Sequence, residues 1–316
     1  MIGTDINYAI QLLKAEAVVA IPTETVYGLA GNALSPTAVS TIFEVKNRPS
    51  FDPLIIHTSR FERIADFTTD VPAPARQLAR RFMPGPLTLL LPKSGNIPDI
   101  VTAGSPRVAI RIPAHSMTQE LLAALEFPLA APSANPFGYI SPTTARHVAD
   151  QLGDKIPYIL DGGPCRVGVE STIVGFEDGQ VVVYRKGGVA VEDIEAVVGP
   201  VLVRAHSTSN PEAPGMLKSH YAPSAPIVLG DTESLLSQYH GQRAGAITYR
   251  KAAPGISPER QLVLSPTGNL AEAARNLFAG MRRLDALQLD VILAELLPEE
   301  GLGRAINDRL RRAAAR

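Results

Sequence analysis

Lys46 and Arg48 are the residues whose types and spacing most directly suggest chemistry. They lie two positions apart at the end of a predicted helix, and Asp52 follows before a short apolar strand that ends at His57. Arginine holds phosphate through two parallel hydrogen bonds and lysine acts as a point charge, so this pair suits a polyphosphate ligand. The same two cations could instead complement the negative end of the helix dipole.

Two further arginines lie in the apolar segment from 105 to 113. A strand there places Arg107, Ala109 and Arg111 on one face, because strand side chains alternate with a period of two. A buried arginine needs an anionic partner. That partner could be a bound ligand or an internal carboxylate, and the sequence leaves both open.

Small and hydroxylated residues border other apolar runs. Thr25 follows the run 17–21, in a turn whose threonines could simply bond their own backbone. Ser133 lies in the string 130–136, where small side chains would let the backbone approach a ligand closely. Ser141 precedes a proline and is expected to cap the next helix, whose N-terminus favours an anion.

Ser171 and Arg185 belong to two more polar clusters of this kind, so six clusters lie at the edges of apolar runs. Each cluster alone is a weak signal. If the basic ones converge, Lys46, Arg48, Arg111 and Arg185 would surround one anionic ligand while hydroxyl groups orient it. That arrangement is typical of a nucleotide site that lacks a Walker loop.

Several other kinds of site are absent from the sequence. There is no G-x-x-x-x-G-K-[ST] loop, no G-x-G-x-x-G after a strand and no G-x-S-x-G elbow. The six histidines do not fall in zinc-ligand spacings. The glycine-rich string 162–168 favours a turn, and its Cys165 has no partner motif for a catalytic thiol.

Alternating strand and helix patterns position these clusters. Strands are predicted at 17–21, 54–57, 87–91, 108–112, 129–131, 156–160, 171–174 and 181–185, with helices at 6–14, 36–47, 116–125 and 142–152. This rhythm predicts an α/β domain with a mixed sheet over residues 1–205. A Ser-, Pro- and Gly-rich linker follows at 206–226. A second, smaller α/β domain is predicted at 227–316, with strands at 227–229, 244–249, 261–264 and 291–294 and helices near 232–239, 269–287 and 303–315.

Composition limits the partners and the location. The 316 residues carry 30 basic and 31 acidic side chains, a net charge of −1, so no stable contact with nucleic acid is expected. One cysteine cannot form an intramolecular disulfide, and no run of apolar residues is long enough to span a membrane. These features predict a cytoplasmic protein.

At this point six motifs together resemble a known family. In order, they are IPTETVYGLAGNA, KNRPSFDPLIIH, VAIRIP, APSANPFGYISPT, ESTIV and RKG. Their sequence and spacing are similar to the threonylcarbamoyl-AMP synthase, or YrdC-type, family. The linker string PGMLKSHYAP and the following α/β segment resemble the long, two-domain form.

The resemblance implies a fold, a reaction and a set of site residues. The implied fold is a twisted, open α/β sheet with a concave basic cavity, followed by a Rossmann-like domain. The implied reaction joins L-threonine, bicarbonate or CO₂, and ATP into L-threonylcarbamoyladenylate with release of pyrophosphate, for tRNA threonylcarbamoyl transferase machinery. Magnesium is expected through the ATP phosphates, without protein ligands. The threonine-binding positions are Thr25, His57, Arg111, Ala131 and Ser171. The ATP-binding positions are Lys46, Arg48, Asp52, Arg107, Ser133, Ser141, Arg185 and Tyr221, and Lys46, Arg48 and Arg111 are the catalytic candidates.

Two alternatives stay open beside this interpretation. A carbamoyl-adenylate-forming maturation factor shares the domain type, but such chains carry zinc-finger cysteines and this chain has one cysteine. An RNA-binding module without catalysis could use the same basic cavity, although the net charge and the aromatic content of 5% do not favour it. The linker, with Tyr221, is expected to act as a lid that excludes water from a labile product.

Overall fold

A large mixed sheet forms the first part of the chain in the computed structural model, which describes residues 1–204, 216 and 220–315. Its strands are β1 (Ile2–Gly3), β2 (Val19–Ile21), β3 (Gly28–Asn32), β4 (Ile55–His57), β5 (Leu87–Pro92), β6 (Arg107–Arg111), β7 (Leu129–Ala130), β8 (Tyr158–Leu160), β9 (Thr172–Glu177), β10 (Gln180–Arg185) and β11 (Leu202–Val203). They lie in the order β1-β8-β2-β3-β7-β4-β6-β5-β9-β10-β11.

The pairing of the central strands gathers the polar clusters at one edge of this sheet. β4 and β6 are parallel, with His57 opposite Arg111 at their carboxyl ends. β5 is antiparallel to β6 and parallel to β9, so the start of β9 lies at the same edge. β10 is antiparallel to β9 and therefore ends there with Arg185.

Helices cover this sheet and are fixed by local signals. They are α1 (Ile6–Lys14), α2 (Pro36–Lys46), α3 (Ala73–Phe82), α4 (Asp99–Thr102), α5 (Ser116–Ala123), α6 (Ala145–Leu152) and α7 (Val191–Val198), with a 3₁₀ turn at Phe61–Asp66. Ser35 caps α2 by accepting a hydrogen bond from the Ala38 amide, as its position before Pro36 predicts. Asn47 ends α2 in the left-handed conformation (φ 50°), which asparagine tolerates well.

A smaller, wholly parallel sheet forms the second part. Its strands are β12 (Ile227–Leu229), β13 (Ala244–Thr248), β14 (Gln261–Val263) and β15 (Val291–Ala294), in the order β12-β15-β13-β14. The helices are α8 (Thr232–Gln238), α9 (Leu270–Asp285) and α10 (Gly303–Ala314), with a 3₁₀ turn at Pro258–Arg260.

One buried apolar cluster joins the two parts. Val26, Ile140 and Val169 of the first part pack with Leu277 and Phe278 of α9. Burial of such side chains contributes about 1.5–3 kcal/mol each. The two parts are therefore held against each other directly beside the polar edge of the large sheet.

The structure confirms the predicted α/β class, with a mixed sheet followed by a smaller α/β unit. Six elements were not predicted from the sequence: β1, β3, β11, α3, α4 and α7. The prediction that Ser141 begins a helix is wrong, since α6 starts at Ala145 and Thr144 caps it by accepting from the His147 amide. Within the described residues, no helix is long and apolar enough to cross a membrane.

Candidate active site

A small pocket lies at the edge where β4, β6, β9 and β10 meet, and its volume is about 50 Å³. Nine of the predicted site residues line it, so clusters that are far apart in the chain do converge. These nine are Thr25, Arg48, His57, Arg111, Ala131, Ser133, Ser171, Arg185 and Tyr221. Lys46, Asp52, Arg107 and Ser141 do not line it.

Arg111 faces the pocket from the end of β6 and is paired with an internal carboxylate. Its Nη2 lies 2.5 Å from Oε1 of Glu24, and both side chains are buried. Oε2 of Glu24 accepts from the Ala114 amide at 2.9 Å, which fixes the carboxylate. The anionic partner of Arg111 is therefore an internal carboxylate, one of the two possibilities that the sequence left open. Arg111 nevertheless lines the pocket.

His57 stands beside Arg111 as a buried, neutral imidazole. Burial, and then the positive charge of Arg111, lowers the pKa of His57 to about 3. Nδ1 of His57 has no hydrogen-bond partner among the described residues. An uncharged ring with an unpartnered nitrogen suits a contact with a polar ligand.

Arg185 and Ser171 form the opposite wall of the pocket. Arg185 donates to the Ser171 carbonyl oxygen at 3.0 and 3.1 Å and to the Ser171 hydroxyl at 3.1 Å. The Ser171 hydroxyl also lies 2.7 Å from the Thr88 hydroxyl. A Cβ on Gly187 would clash with the Glu170 and Ser171 backbone, so glycine is required where the chain leaves β10.

Arg48 presents a third cation to the pocket and also holds the loop after α2. It donates to the Asp52 carbonyl oxygen at 3.1 Å and to the Pro53 carbonyl oxygen at 2.8 Å. Nη2 of Arg48 lies 3.0 Å from Oδ2 of Asp52, whose side chain is fully buried. Asp52 therefore neutralises and orients Arg48 from behind the pocket.

Lys46 is buried behind the pocket wall. Its ammonium donates to the carbonyl oxygens of Ser133 and Asn135, each at 2.5 Å. Burial, and then the nearby charge of Arg48, lowers the pKa of Lys46 well below its usual value. In this structure Lys46 thus shapes the turn that carries Ser133 instead of facing the pocket itself.

Arg107 and Ser141 are engaged elsewhere. Arg107 donates to Oε1 of Glu177 at 2.8 Å and to the Tyr184 hydroxyl at 2.7 Å. It lies four residues before Arg111 on the same strand, a separation of about 13 Å. Ser141 is fully buried and donates to Oε1 of Glu170 at 2.5 Å, and Glu170 does line the pocket.

His220 and Tyr221 close the pocket from the linker side. Tyr221 is 1% exposed, stacks on Phe278 of α9 at 5.4 Å between ring centroids, and lies against His220 at 4.2 Å. A volume of 50 Å³ accepts a few water molecules but no nucleotide. Most of the predicted linker, 205–215 and 217–219, lies outside the described residues.

Two site features were not visible in the sequence. Glu24 lies next to Thr25, and only Thr25 was predicted as a site residue from that motif. The pairing of Glu24 with Arg111 depends on the fold and has no signal in the sequence. Arg309 of α10 contacts Glu170 although 139 positions separate them in the sequence, with Nε 2.9 Å from Oε2. No periodicity or motif in α10 signalled this contact.

Cys165 is a buried thiol near Glu24. Burial, and then the negative charge of Glu24, raises the pKa of Cys165 to about 12. A thiol held in its protonated form is a poor nucleophile. Cys165 is not among the residues that line the pocket.

Two protein-family models match this chain. The family model described as "Telomere recombination" (Sua5/YciO/YrdC) matches residues 11–187. A second family model, described as "Threonylcarbamoyl-AMP synthase, C-terminal domain", matches residues 189–315. Together the two models cover nearly the whole chain.

Individual relatives match over a similar length. The threonylcarbamoyl-AMP synthase of Pyrococcus abyssi is 41% identical over 324 residues, which cover 98% of this chain and 94% of the relative. The Bacillus subtilis protein of the same name is 41% identical over 320 residues, covering 98% and 92%. The crystal structure of P. abyssi Sua5 complexed with L-threonine matches with a TM-score of 0.92 at 41% identity, covering 98% of this chain and 94% of that one.

Proposed function

The chain belongs to the threonylcarbamoyl-AMP synthase family, and we propose that it makes threonylcarbamoyl-AMP from L-threonine, bicarbonate or CO₂, and ATP. Pyrophosphate is the second product. The observation that carries this proposal is the convergence of Arg48, Arg111 and Arg185 with Ser133 and Ser171 on one pocket. The relative solved with L-threonine supports threonine as the substrate amino acid.

The residue types around the pocket fit this chemistry. The threonine nitrogen adds to CO₂, which forms a carbamate and releases a proton. A carbamate oxygen then attacks the α-phosphorus of ATP, and the bond to pyrophosphate breaks. Such a transfer needs alignment and neutralised charge more than a covalent nucleophile. Arg111 would hold the threonine carboxylate or the carbamate, while Arg48 and Arg185 would neutralise the phosphates.

Magnesium would accompany the nucleotide. No group of three or more His, Cys, Asp or Glu side chains that could hold an ion occurs within the described residues. Glu170, which lines the pocket, and Asp52, which lies behind Arg48, are each paired with an arginine. We therefore propose that the ion binds through the ATP phosphates. EDTA should abolish turnover and leave the melting temperature of the nucleotide-free protein unchanged.

We also propose that the product supplies the machinery that attaches threonylcarbamoyl groups to tRNA adenosine beside the anticodon. The acyl adenylate is an activated mixed anhydride, so a transferase must consume it soon after release.

The proposed reaction is tested by incubating the protein with L-threonine, ATP and ¹³C-bicarbonate. Mass spectrometry should find threonylcarbamoyl-AMP carrying one ¹³C atom, and an unlabelled or absent adenylate would contradict the proposal.

A further inference from the structure

Arg309 of the second sheet's last helix is a fully buried cation that points into the site of the first sheet. Its exposed fraction is 0%, and its Nε donates to Oε2 of Glu170 at 2.9 Å. Nη1 donates to Asp308 at 2.6 Å, and Nη2 has no hydrogen-bond partner among the described residues. An arginine is rarely placed so deeply without a specific anionic partner.

Glu170 connects this arginine to the pocket. Its other carboxylate oxygen, Oε1, accepts from the Ser141 hydroxyl at 2.5 Å, and the residue lines the pocket beside Ser171 and Arg185. Burial by itself would raise the pKa of Glu170, but Arg309, Arg185 and Ser141 hold it below its usual value. Glu170 is therefore a charged carboxylate whose two oxygens join Ser141 to Arg309.

Arg309 also contacts the side chain that closes the pocket. Its guanidinium carbon lies 5.1 Å from the centre of the Tyr221 ring, while Phe278 stacks at 5.4 Å. A cation over an aromatic face is attractive. One residue of α10 thus contacts two groups that line the pocket, the Glu170 carboxylate and the Tyr221 ring.

A second buried arginine at the same interface, Arg282, has a structural role only. Arg282 of α9 donates to the carbonyl oxygens of Ile140, Ser141 and His147 and to the side-chain oxygen of Gln151. It joins the two parts of the chain through uncharged oxygen atoms and does not line the pocket. Arg309, in contrast, joins the two parts through the ionised side chain of Glu170, and Glu170 lines the pocket.

We propose that Arg309 is a positioning residue for ATP: it fixes the Glu170 carboxylate that lines the pocket beside Arg185, so the second domain completes the nucleotide side of the active site. This inference rests on the proposed function. Without Arg309, the buried Glu170 carboxylate loses its strongest partner, and the Ser141 hydroxyl loses its fixed acceptor. The threonine side, with Thr25, His57 and Arg111, makes no contact with Arg309 and should be spared.

The test compares Arg309→Met in the full-length protein with Arg311→Met on the same helix. Arg311 is half exposed and pairs with Glu299, so it serves as the control for charge and helix content. We expect kcat/KM for ATP to fall at least about tenfold in Arg309→Met, with L-threonine affinity by calorimetry within about threefold of wild type. Arg311→Met should retain wild-type values.

A double-mutant cycle with Glu170→Gln separates positioning from direct contact with ATP. If Arg309 acts through Glu170, the double variant should lose no more than the worse single variant. Multiplicative losses, or full activity in Arg309→Met, would overturn the inference. Parallel loss of threonine affinity would also overturn it, because that result indicates general misfolding. Wild-type protein that releases no pyrophosphate would instead refute the proposed function.

Discussion

At the scale of single residues, each cation around the pocket is held by an acceptor of the protein. Arg48 is paired with Asp52, Arg111 with Glu24, and Lys46 donates to two carbonyl oxygens. Held in this way, the cations need little rearrangement when a phosphate or carboxylate arrives. Such preorganisation is the main way in which a protein stabilises charge that develops in a transition state.

Arg48 gives the most direct test of charge neutralisation. We expect Arg48→Ala to lower pyrophosphate release by about 100- to 1,000-fold, the usual loss for a donor to developing negative charge. Arg48→Lys should also be impaired, because an ammonium cannot reproduce the fork that reaches Asp52 and Pro53. Arg80→Ala, on the exposed face of α3, is the matched control. Full activity in Arg48→Ala with a normal circular dichroism spectrum would contradict the assignment.

Arg111 should act on threonine rather than on ATP. Arg111→Lys keeps a positive charge beside Glu24, so the carboxylate stays paired and the fold should persist. Loss of the planar fork is expected to raise KM for L-threonine about tenfold and to leave KM for ATP nearly unchanged. Steady-state kinetics with each substrate varied in turn measures the two constants. An equal rise in both would show that Arg111 does not distinguish them.

Sequence reasoning succeeded at this scale where a residue type alone carries the chemistry. Arginines and hydroxyl groups at strand ends could be recognised because few structural roles require them there. The role of a side chain could not be predicted where it depends on which residue that side chain contacts in the folded protein. Arg107 and Arg111 share one strand and one face, yet Glu177 holds the first outside the pocket and Glu24 holds the second at its wall. Arg309 and Glu170 lie 139 positions apart in the sequence, so their contact leaves no local pattern.

At the scale of elements, the linker residues His220 and Tyr221 are buried and line the pocket. Tyr221 stacks on α9 and lies 4.9 Å from the guanidinium carbon of Arg312 on α10. The second sheet therefore provides the surface on which this closure rests. A closed site would protect the carbamate and the adenylate from water.

Tyr221→Ala should uncouple ATP consumption from product formation. With the pocket open to water, part of the adenylate should hydrolyse to AMP, threonine and CO₂. The ratio of intact threonylcarbamoyl-AMP to released pyrophosphate should then fall, and mass spectrometry together with a pyrophosphate assay gives that ratio. Tyr239→Ala removes a half-buried ring that packs against a separate cluster, and it controls for lost stability. An unchanged ratio in Tyr221→Ala would refute the role of a lid.

Helices and strands with strong local signals agree with the sequence analysis. Ser35 with Pro36 fixed the start of α2, and apolar runs located β4, β5 and β15. The start of α6 was misplaced because Ser141 and Thr144 are both competent caps. Burial decided between them, since the Ser141 hydroxyl is used by Glu170. The strand β3 was missed because its sequence, Gly28–Asn32, has little apolar alternation and forms through pairing with β2.

At the scale of the whole molecule, buried histidines should make stability depend on pH. Burial lowers the pKa of His57 to about 3 and of His147 to about 4, and that of His220 lies well below its usual value. Unfolded histidine titrates near 6.5. Below that pH the unfolded chain binds protons that the folded chain excludes, so this part of the stability is complete above pH 6.5 and is lost as the pH falls.

We expect the fully buried His57 to remove up to about 2 kcal/mol of unfolding free energy between pH 6.5 and 5.0, and the half-buried His147 to remove less because solvent screens it. Urea unfolding at a series of pH values in this window measures the loss. His57→Gln should flatten the dependence, whereas His240→Gln, at an exposed position, should not. The same slope in both variants would show that His57 accepts a proton in the folded state.

The measurement that tests the central claim most directly is pyrophosphate release from ATP by the purified full-length protein. It should be followed with and without L-threonine and with and without bicarbonate. If this pocket joins the three substrates, release will require both co-substrates together. Release without threonine, or no release by a folded protein under any of these conditions, would contradict the account.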